Sequence, residues 1–368
     1  MAKAEMNAFD VAALVHELQP LVGSRVDKVF QPAPGEVLVR LRTKASEDQG
    51  TKRDLWILVG KAVTLTRTAR ENPTEPPSFS MQLRRQLSGG RVAAVRQHHF
   101  DRVLEVDIER AEGGFTLVVE LFHDGNVILV REGRILAALL QQSWATREVR
   151  PGAEFRHPPP RTMPSSLTYD EFRARLLASD ADAVRTLATE FNLGGSYAEE
   201  VCALADVPKN TPTRELLEAQ ARALHDGIGR LVGRLERGEL DPVVVWKDAA
   251  RVDVAPWPLR AHDKPELRLE RKATFAEALD TFYAAPGAPA AREDPAMKRF
   301  REEKGKAERQ HAAQKAGLEK FEKEEAEARV KGDLLYGSFQ EAQAAIAYVA
   351  ALGRSLGWKD ALARLVAA

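Results

Sequence analysis

Pro76-Pro77-Ser78-Phe79-Ser80-Met81-Gln82-Leu83-Arg84-Arg85-Gln86-Leu87-Ser88-Gly89-Gly90 is a helical stretch punctuated at both ends. Ser78 can cap a helix over residues 79–87, and Gly89-Gly90 terminates it. Four β-like runs follow, at residues 92–97, 103–108, 115–122 and 127–130. His123-Asp124-Gly125-Asn126 separates the last two, and Asp-Gly supplies the positive-φ positions that a tight hairpin needs. One capped helix followed by strands joined by short turns predicts antiparallel sheet.

Upstream, residues 9–22 carry Val11, Leu14, Val15, Leu18 and Val22 at helical spacing. Short β-like runs at 25–30, 36–41, 55–59 and 63–66 come next, ended by the proline-rich break 72–77. The first 150 or so residues therefore predict an α+β domain. Downstream, the proline-rich 151–164 reads as a linker. The pattern then turns helical over 169–177, 182–191, 196–205 and 213–237, with the Gly-containing connection Phe191-Asn192-Leu193-Gly194-Gly195-Ser196 between the second and third helices. Such a connection can point backbone N–H groups at a phosphate, although most helix–Gly–helix turns are plain joints. Strand character returns at 243–246 and 251–254, and a helix is predicted at 275–283. Residues 284–291 read as a second linker. Residues 295–331 hold 11 basic and 8 acidic side chains. A heptad register drawn through Phe300, Lys304, Ala307, His311, Gln314, Leu318, Phe321, Glu325 and Ala328 is apolar at barely half its positions, which suits a projecting arm better than a two-stranded zipper. Two short helices, 339–352 and 359–366, flank Leu356-Gly357-Trp358.

Composition sets the outer limits. A chain of 368 residues predicts two or three domains, and 44% hydrophobic with 29% charged residues is ordinary for a globular protein. No long apolar run suggests a membrane span, and the N-terminus lacks a secretory core, so the expected location is cytoplasmic. The lone Cys202 excludes an internal disulfide framework and a multi-cysteine zinc site. Net charge is zero, from 54 basic and 54 acidic residues, but the balance is uneven. Between Lys61 and Arg102 there are 8 basic and 3 acidic residues, a local excess of 8 − 3 = +5 beside His98 and His99. That field can steer phosphate, or it can be a solvated basic face.

No catalytic constellation emerges. Walker-type, G-x-G-x-x-G, G-x-S-x-G and H-E-x-x-H patterns are all missing. His98 and His99, read as neighbours on a strand, would point to opposite faces and could not share a metal. His157 lies in the proline-rich linker and reads as solvated. Glu199 and Glu200 read as solvent-facing on a helix, and Cys202 as buried and inert. Asp101-Arg102 opens a predicted strand. Arg102 could grip a phosphate or a guanine edge with Asp101 orienting it, or the two could form a plain strand-end salt bridge.

The 76–90 series, with Gln97, Asp101-Arg102-Val103, Glu120-Leu121-Phe122 and Gly125-Asn126-Val127-Ile128-Leu129, resembles the N-terminal domain of NFACT proteins. These are the RqcH/NEMF ribosome quality-control factors, once described in bacteria as fibronectin-binding proteins. Phe9-Asp10-Val11-Ala12-Ala13-Leu14-Val15-His16-Glu17-Leu18 is similar to their opening helix. The resemblance implies an α+β fold whose antiparallel-sheet domain is like the formamidopyrimidine-DNA glycosylase N-domain. It implies a first N-domain part at 1–161, a helix-hairpin-helix domain at 162–240, a second N-domain part at 241–290, and a coiled-coil arm with helical tip at 291–368. It further implies binding to obstructed large ribosomal subunits and recruitment of aminoacyl-tRNA for mRNA-independent tailing of stalled chains.

The partners so implied are tRNA, ribosomal RNA and peptidyl-tRNA, without a membrane or small-molecule cofactor. The peptide bond is made by ribosomal RNA, so no enzyme activity is implied for the chain itself. Asp10, Asp101 and Arg102 match family residues implicated in tRNA handling. Arg84, Arg85, Gly194 and Gly195 are the candidate RNA phosphate contacts, and no metal ligand is expected. Family members continue with a returning coiled-coil helix and a C-terminal domain, whereas this chain stops at Ala368, so the arm is expected to lack its partner helix. Two other classes stand beside this reading. A DNA glycosylase of the formamidopyrimidine type would need an N-terminal Pro followed by Glu and usually four cysteines, where this chain has Ala2-Lys3 and Cys202. A fibronectin-binding surface adhesin would be expected to carry a secretory signal.

Overall fold

In the computed structural model, helix α1 (Ala8–Leu18) starts on a capping box: Asn7 Oδ1 accepts from the Asp10 N–H, and Asp10 Oδ2 accepts from the Asn7 N–H. Pro20 sits inside a 3-10 turn, Gln19–Leu21, that ends the helix before the predicted limit at residue 22. The structure describes residues 3–43, 52–122, 124–144, 146–159, 161, 166–284, 310, 314, 317–318, 321 and 324–367. It divides into two units, Met1–Arg292 and Glu293–Ala368.

The first unit is built on a large antiparallel sheet of strands β1 (Arg25–Phe30), β2 (Glu36–Arg42), β3 (Lys52–Leu58), β4 (Ala62–Thr66), β5 (Arg91–Gln97), β6 (Val103–Arg110), β7 (Gly113–Glu120), β8 (Asn126–Arg131) and β9 (Arg134–Ala138), in the order β4-β3-β2-β1-β5-β6-β7-β8-β9. Each neighbour is antiparallel, as the alternating runs predict. The join between β1 and β5 is short, Arg25↔Arg91 with flanking backbone hydrogen bonds that tie Gly23, Ser24 and Val26 to Val92, Gly89 and Gly90, so the sheet is two meanders joined there. Helix α2 (Ser78–Leu87) connects the meanders and packs on β1 and β9 through Phe79, Leu83 and Leu87. Ser78 is its first residue rather than its cap; Pro77 occupies the cap position, and no side chain closes that end.

The Asp124-Gly125 turn has a structural reason beyond hairpin chemistry. Gly125 (φ +68) lies so close to the Gly60 turn between β3 and β4 that an added Cβ would stand 2.1 Å from the Gly60 nitrogen. Two loops from the two meanders touch backbone to backbone here.

After β10 (Gln142–Ser143) and β11 (Glu148–Val149) the chain becomes helical: α3 (Tyr169–Ala178), α4 (Ala183–Thr189), α5 (Gly194–Leu204) and α6 (Glu218–Glu236). It then returns through β12 (Val243–Lys247), β13 (Ala250–Ala255), β14 (Leu267–Arg271) and α7 (Phe275–Tyr283). The return is tied to the start of the chain. Glu17 of α1 accepts from the Phe275 and Ala276 N–H groups, at 2.6 and 2.8 Å, capping α7. One continuous apolar cluster joins α1, the sheet, α3–α6 and the returning segment. Glu200, expected to face solvent, is buried and accepts from the Arg260 N–H at 2.6 Å. Cys202 is buried as expected, its thiol pushed up to about 11 by burial.

In the second unit, helices Phe339–Leu356 and Trp358–Val366 are separated by Gly357 (φ +79), the turn the sequence predicts. Gln314, Leu318, Phe321, Glu325 and Ala328 are helical and exposed. Phe300, Lys304, Ala307 and His311 of the proposed heptad, His123 of the hairpin, and the linker residues 285–291 lie outside the described residues. No helix among the described residues is long and apolar enough to cross a membrane.

Gly125→Ala is expected to cost more than about 2 kcal/mol, because the backbone clash adds to left-handed strain. Gly133→Ala has the same strain (φ +72) with nothing within 4 Å of the added carbon, and should cost only about 1 kcal/mol. Equal losses in urea unfolding would show that the Gly60–Gly125 approach is not a constraint.

Candidate nucleic-acid interface

Three segments distant in sequence converge at the N-terminal end of α1. The first is the turn after β5. Gln97 Nε2 donates to both the Ala8 and Asp101 carbonyls, each at 2.8 Å, fastening the turn to α1. His99 and Phe100 take positive φ values of 42° and 52°, an uncommon conformation for such residues. Phe100 is held there by an edge-to-face contact with Phe9 at 4.9 Å. The second segment is the α4–α5 connection. Asn192, itself at φ +55, donates from Nδ2 to the Phe100 carbonyl at 2.8 Å. Gly194 (φ +73) passes so close that an added Cβ would lie 3.4 Å from the Asn7 Cβ. The third is the returning segment, described below.

Asp10, Asp101, Arg102 and Gly194 are thus gathered around one helix end, with Gly195 next in α5. They are not equally accessible. Asp10 is fully buried, and Asp101 is 6% exposed. Asp101 Oδ1 accepts from the Arg102 N–H at 2.7 Å, stiffening the turn, while the Arg102 side chain reaches away to Glu5. The strand-end salt bridge therefore exists, but with Glu5 as the acid. β6 begins at Val103, so Asp101-Arg102 belongs to the bend before the strand. Arg84 and Arg85 are on α2, among β1 and β9 rather than in this cluster. Arg84 Nε donates to the Val29 carbonyl at 2.5 Å and its guanidinium lies over Phe30; Arg85 is exposed.

The basic excess of residues 61–102 is partly cancelled in space. Arg70 pairs with Glu36 at 3.1 Å and stacks on Trp56, Arg96 pairs with Glu105 and Asp107, and Arg102 pairs with Glu5. A count along the chain could not register acids contributed by residues 5, 36, 105 and 107.

Beneath the surface lies a charge cluster that sequence reading missed. Lys3 Nζ contacts Asp10 Oδ2 at 2.8 Å and Asp253 Oδ1 at 3.6 Å, and donates to the Val254 carbonyl at 2.6 Å. Tyr197 OH donates to Asp10 Oδ1 at 3.2 Å, and its ring stacks on Phe9. His262 Nδ1 accepts from the Leu259 N–H, so its proton sits on Nε2, which faces Asp253 Oδ2 at 2.9 Å. Burial pushes the Asp10 carboxyl above its usual range and outweighs the attraction of Lys3. Burial also works against the ionised Asp253, but Lys3 and His262 overcome it and hold that carboxyl low. The two carboxylates flank one ammonium, and the more solvated of them, Asp253, keeps its charge most firmly. No local pattern announces this cluster, since 250 residues separate Lys3 from Asp253. Asn192 left a faint signal: an Asn two residues before a Gly in a helix connection tolerates positive φ.

A second cluster sits beside the turn. His98 and His157 stack at 3.6 Å with planes 9° apart, and both face Glu105. β5 stops at Gln97, so His98 is not on a strand and is free to meet His157 across the sheet end.

Residues 7–345 match the family of NFACT N-terminal and middle domains. The chain belongs to the NFACT family. It is 31% identical over 354 residues to the archaeal Rqc2 homolog aRqcH of Methanocaldococcus jannaschii, a match covering 92% of this chain and 51% of that protein. The chain therefore spans about half the length of that relative. It is also 31% identical over 173 residues to the Rqc2 homolog RqcH of Bacillus subtilis, covering 43% of this chain and 30% of the relative. The fibrinogen-binding protein of Staphylococcus aureus shares the fold at a TM-score of 0.61 and 20% identity, over 76% of this chain and 99% of that one. The N-terminal part of the fibronectin/fibrinogen-binding protein of Streptococcus suis gives 0.57 and 22%, with the same coverage.

In this NFACT chain, Lys3→Met leaves two buried carboxylates facing one another, which should cost about 3–5 kcal/mol at neutral pH. Removing the ammonium raises the Asp10 carboxyl further. A carboxyl raised in the fold contributes stability below its unfolded value, near about 3.9, and loses it as pH rises through the folded value. The variant should therefore regain part of its deficit as pH falls from about 7 toward about 4. A deficit independent of pH, read by urea unfolding across that range, would deny the cluster its electrostatic role.

Proposed function

We propose that this chain is the RNA-handling part of a ribosome-associated quality-control factor, binding obstructed large ribosomal subunits and recruiting aminoacyl-tRNA for mRNA-independent tailing of stalled chains. One observation carries the proposal. The family-matching residues Asp101 and Arg102, the opening helix with Asp10, and the Gly194-Gly195 connection meet at one helix end although nearly 190 sequence positions separate the first from the last. Plain connecting turns have no need to be assembled from three segments, two of them holding non-glycine residues at positive φ.

Within this reading, Arg102 is the residue that meets tRNA, and Asp101 stiffens the turn that presents it. Asp10, fully buried, acts as a positioning residue: its carboxylate fixes the capping box and Lys3 beneath the turn. The α5 N-terminus at Gly194-Gly195 and the exposed Arg85 offer phosphate contacts. The 162–240 segment serves as the helix-hairpin-helix domain, 1–161 with 241–290 as the N-domain, and 291–368 as a coiled-coil arm and tip reaching along the large subunit. Recruitment leaves peptide-bond chemistry to ribosomal RNA, so the chain acts as a binding factor in the cytoplasm.

The direct experiment is to purify the chain from its host and sequence the RNA that accompanies it. Large-subunit ribosomal RNA with an enriched tRNA species is the expected result; RNA in proportion to its cellular abundance would overturn the reading. Arg102→Ala should weaken tRNA binding by about 1–3 kcal/mol and flatten its salt dependence by about one phosphate contact, with little change in the thermal midpoint. Unchanged affinity with a lowered midpoint would mean that Arg102 serves only to hold Glu5.

A further inference from the structure

His98, Glu105 and His157 bring their donor atoms within 4.8 Å of one another. Glu105 Oε1 is 3.2 Å from His157 Nε2 and 3.8 Å from His98 Nδ1. A tetrahedral ion with bonds of about 2.1 Å places its ligand atoms about 3.4 Å apart, so the two observed separations bracket the spacing that shared coordination requires. The third edge, between the two nitrogens, closes if the imidazole planes open from their parallel stack, a rotation about side-chain bonds that leaves the backbone in place. We propose that these three side chains form a binding site for a divalent transition-metal ion.

The surroundings fit that role. Glu105 is buried, and its second oxygen accepts from Arg96 Nε at 2.7 Å. That bond orients the carboxylate and leaves Oε1 toward the two rings, the arrangement of an outer residue holding a ligand. Arg147, the other nearby cation, is engaged by Glu120 at 2.5 and 2.8 Å and so does not compete for Glu105. His157 Nδ1 is buried without a hydrogen-bond partner, a cost for a purely structural ring that reorientation around an ion would relieve. Phe155 packs edge-on against His157 at 4.8 Å and walls one side. Both rings keep partial exposure, 19% and 32%, which leaves an open coordination position for water. Two imidazoles and one carboxylate select zinc, cobalt, nickel or iron(II) over magnesium and calcium, which prefer oxygen donors throughout.

The site would join two parts of the chain. His98 accepts, through its carbonyl, the Asp101 N–H at 2.8 Å, and so belongs to the turn that presents Arg102. His157 lies in the segment that leads from the sheet to the helices beginning at α3. A bound ion would pin that segment to the turn and set how rigidly Arg102 is presented.

The test uses the full chain stripped with a chelator and titrated with Co2+ by visible absorption and with Zn2+ by calorimetry. The expected result is saturable uptake of a single ion per chain, with tetrahedral-type cobalt bands that Zn2+ abolishes. His157→Ala, whose side chain lies outside the main apolar core, should keep the circular dichroism of the parent and lose that uptake. Arg96→Gln should weaken it roughly ten- to hundredfold. His225→Ala, on α6, should leave it unchanged. Uptake that is equal in the parent and His157→Ala, or no saturable uptake by the parent, would overturn the proposal; in the latter case the stacked rings are only a clasp for the segment.

Discussion

The Lys3 ammonium, shared between Asp10 and Asp253, is the interaction on which the rest of the first unit depends. It joins the first residues of the chain, the first turn of α1 and a strand that arrives some 250 positions later. Desolvating three charges is expensive, and an apolar trio of the same volume could be as stable. What an apolar trio would lack is directionality. An ammonium accepts only geometries that satisfy its donors, and Lys3 satisfies them with two carboxylates and the Val254 carbonyl. The returning segment therefore has one register against α1. Glu17 fixes that register again from the other end of α1 by capping α7. Because α1 is positioned from below in this way, its N-terminal end can serve as a platform for the turn at 98–102 and for the α4–α5 connection.

The elements that the sequence made legible are those specified within a few residues. The 92–130 meander follows from alternation and Asp-Gly, and α7 is legible as the helix predicted at 275–283. β14 escaped because Leu-Arg-Leu-Glu-Arg offers only two apolar positions; it is held by pairing with β12, which local composition does not encode. α5 begins earlier than the predicted residue 196 because Gly194 and Gly195 behave as its first turn, not as loop. Glu200 faces inward because a backbone N–H at Arg260 awaits it, again a long-range fact.

The candidate interface was legible in part, for a related reason. The resemblance singles out Asp10, Asp101 and Arg102 without saying how they work together. In space only Arg102 has a side chain able to leave the protein surface, and Glu5 already occupies it. A partly exposed ion pair of this kind contributes little stability, about 0–1 kcal/mol. On the proposed reading its use is different: a phosphate, carrying more charge and matching the same fork geometry, displaces the single carboxylate of Glu5.

The same long-range pairing tempers the basic excess that the sequence shows between residues 61 and 102. Three of the arginines between residues 61 and 102, Arg70, Arg96 and Arg102, are paired with acids from β2, β6 or the N-terminal segment, so the diffuse basic field is muted in part. Local to the turn are Arg102 with its single acid partner Glu5, the glycine-opened start of α5, and strained residues that fix where that arginine stands. On the proposed reading, specificity rests on whether a ligand meets those points together. The turn that carries Arg102 is held from three sides, by Gln97 at the end of β5 bonded to α1, by Asn192 of the helical segment and by Asp101 within the turn itself.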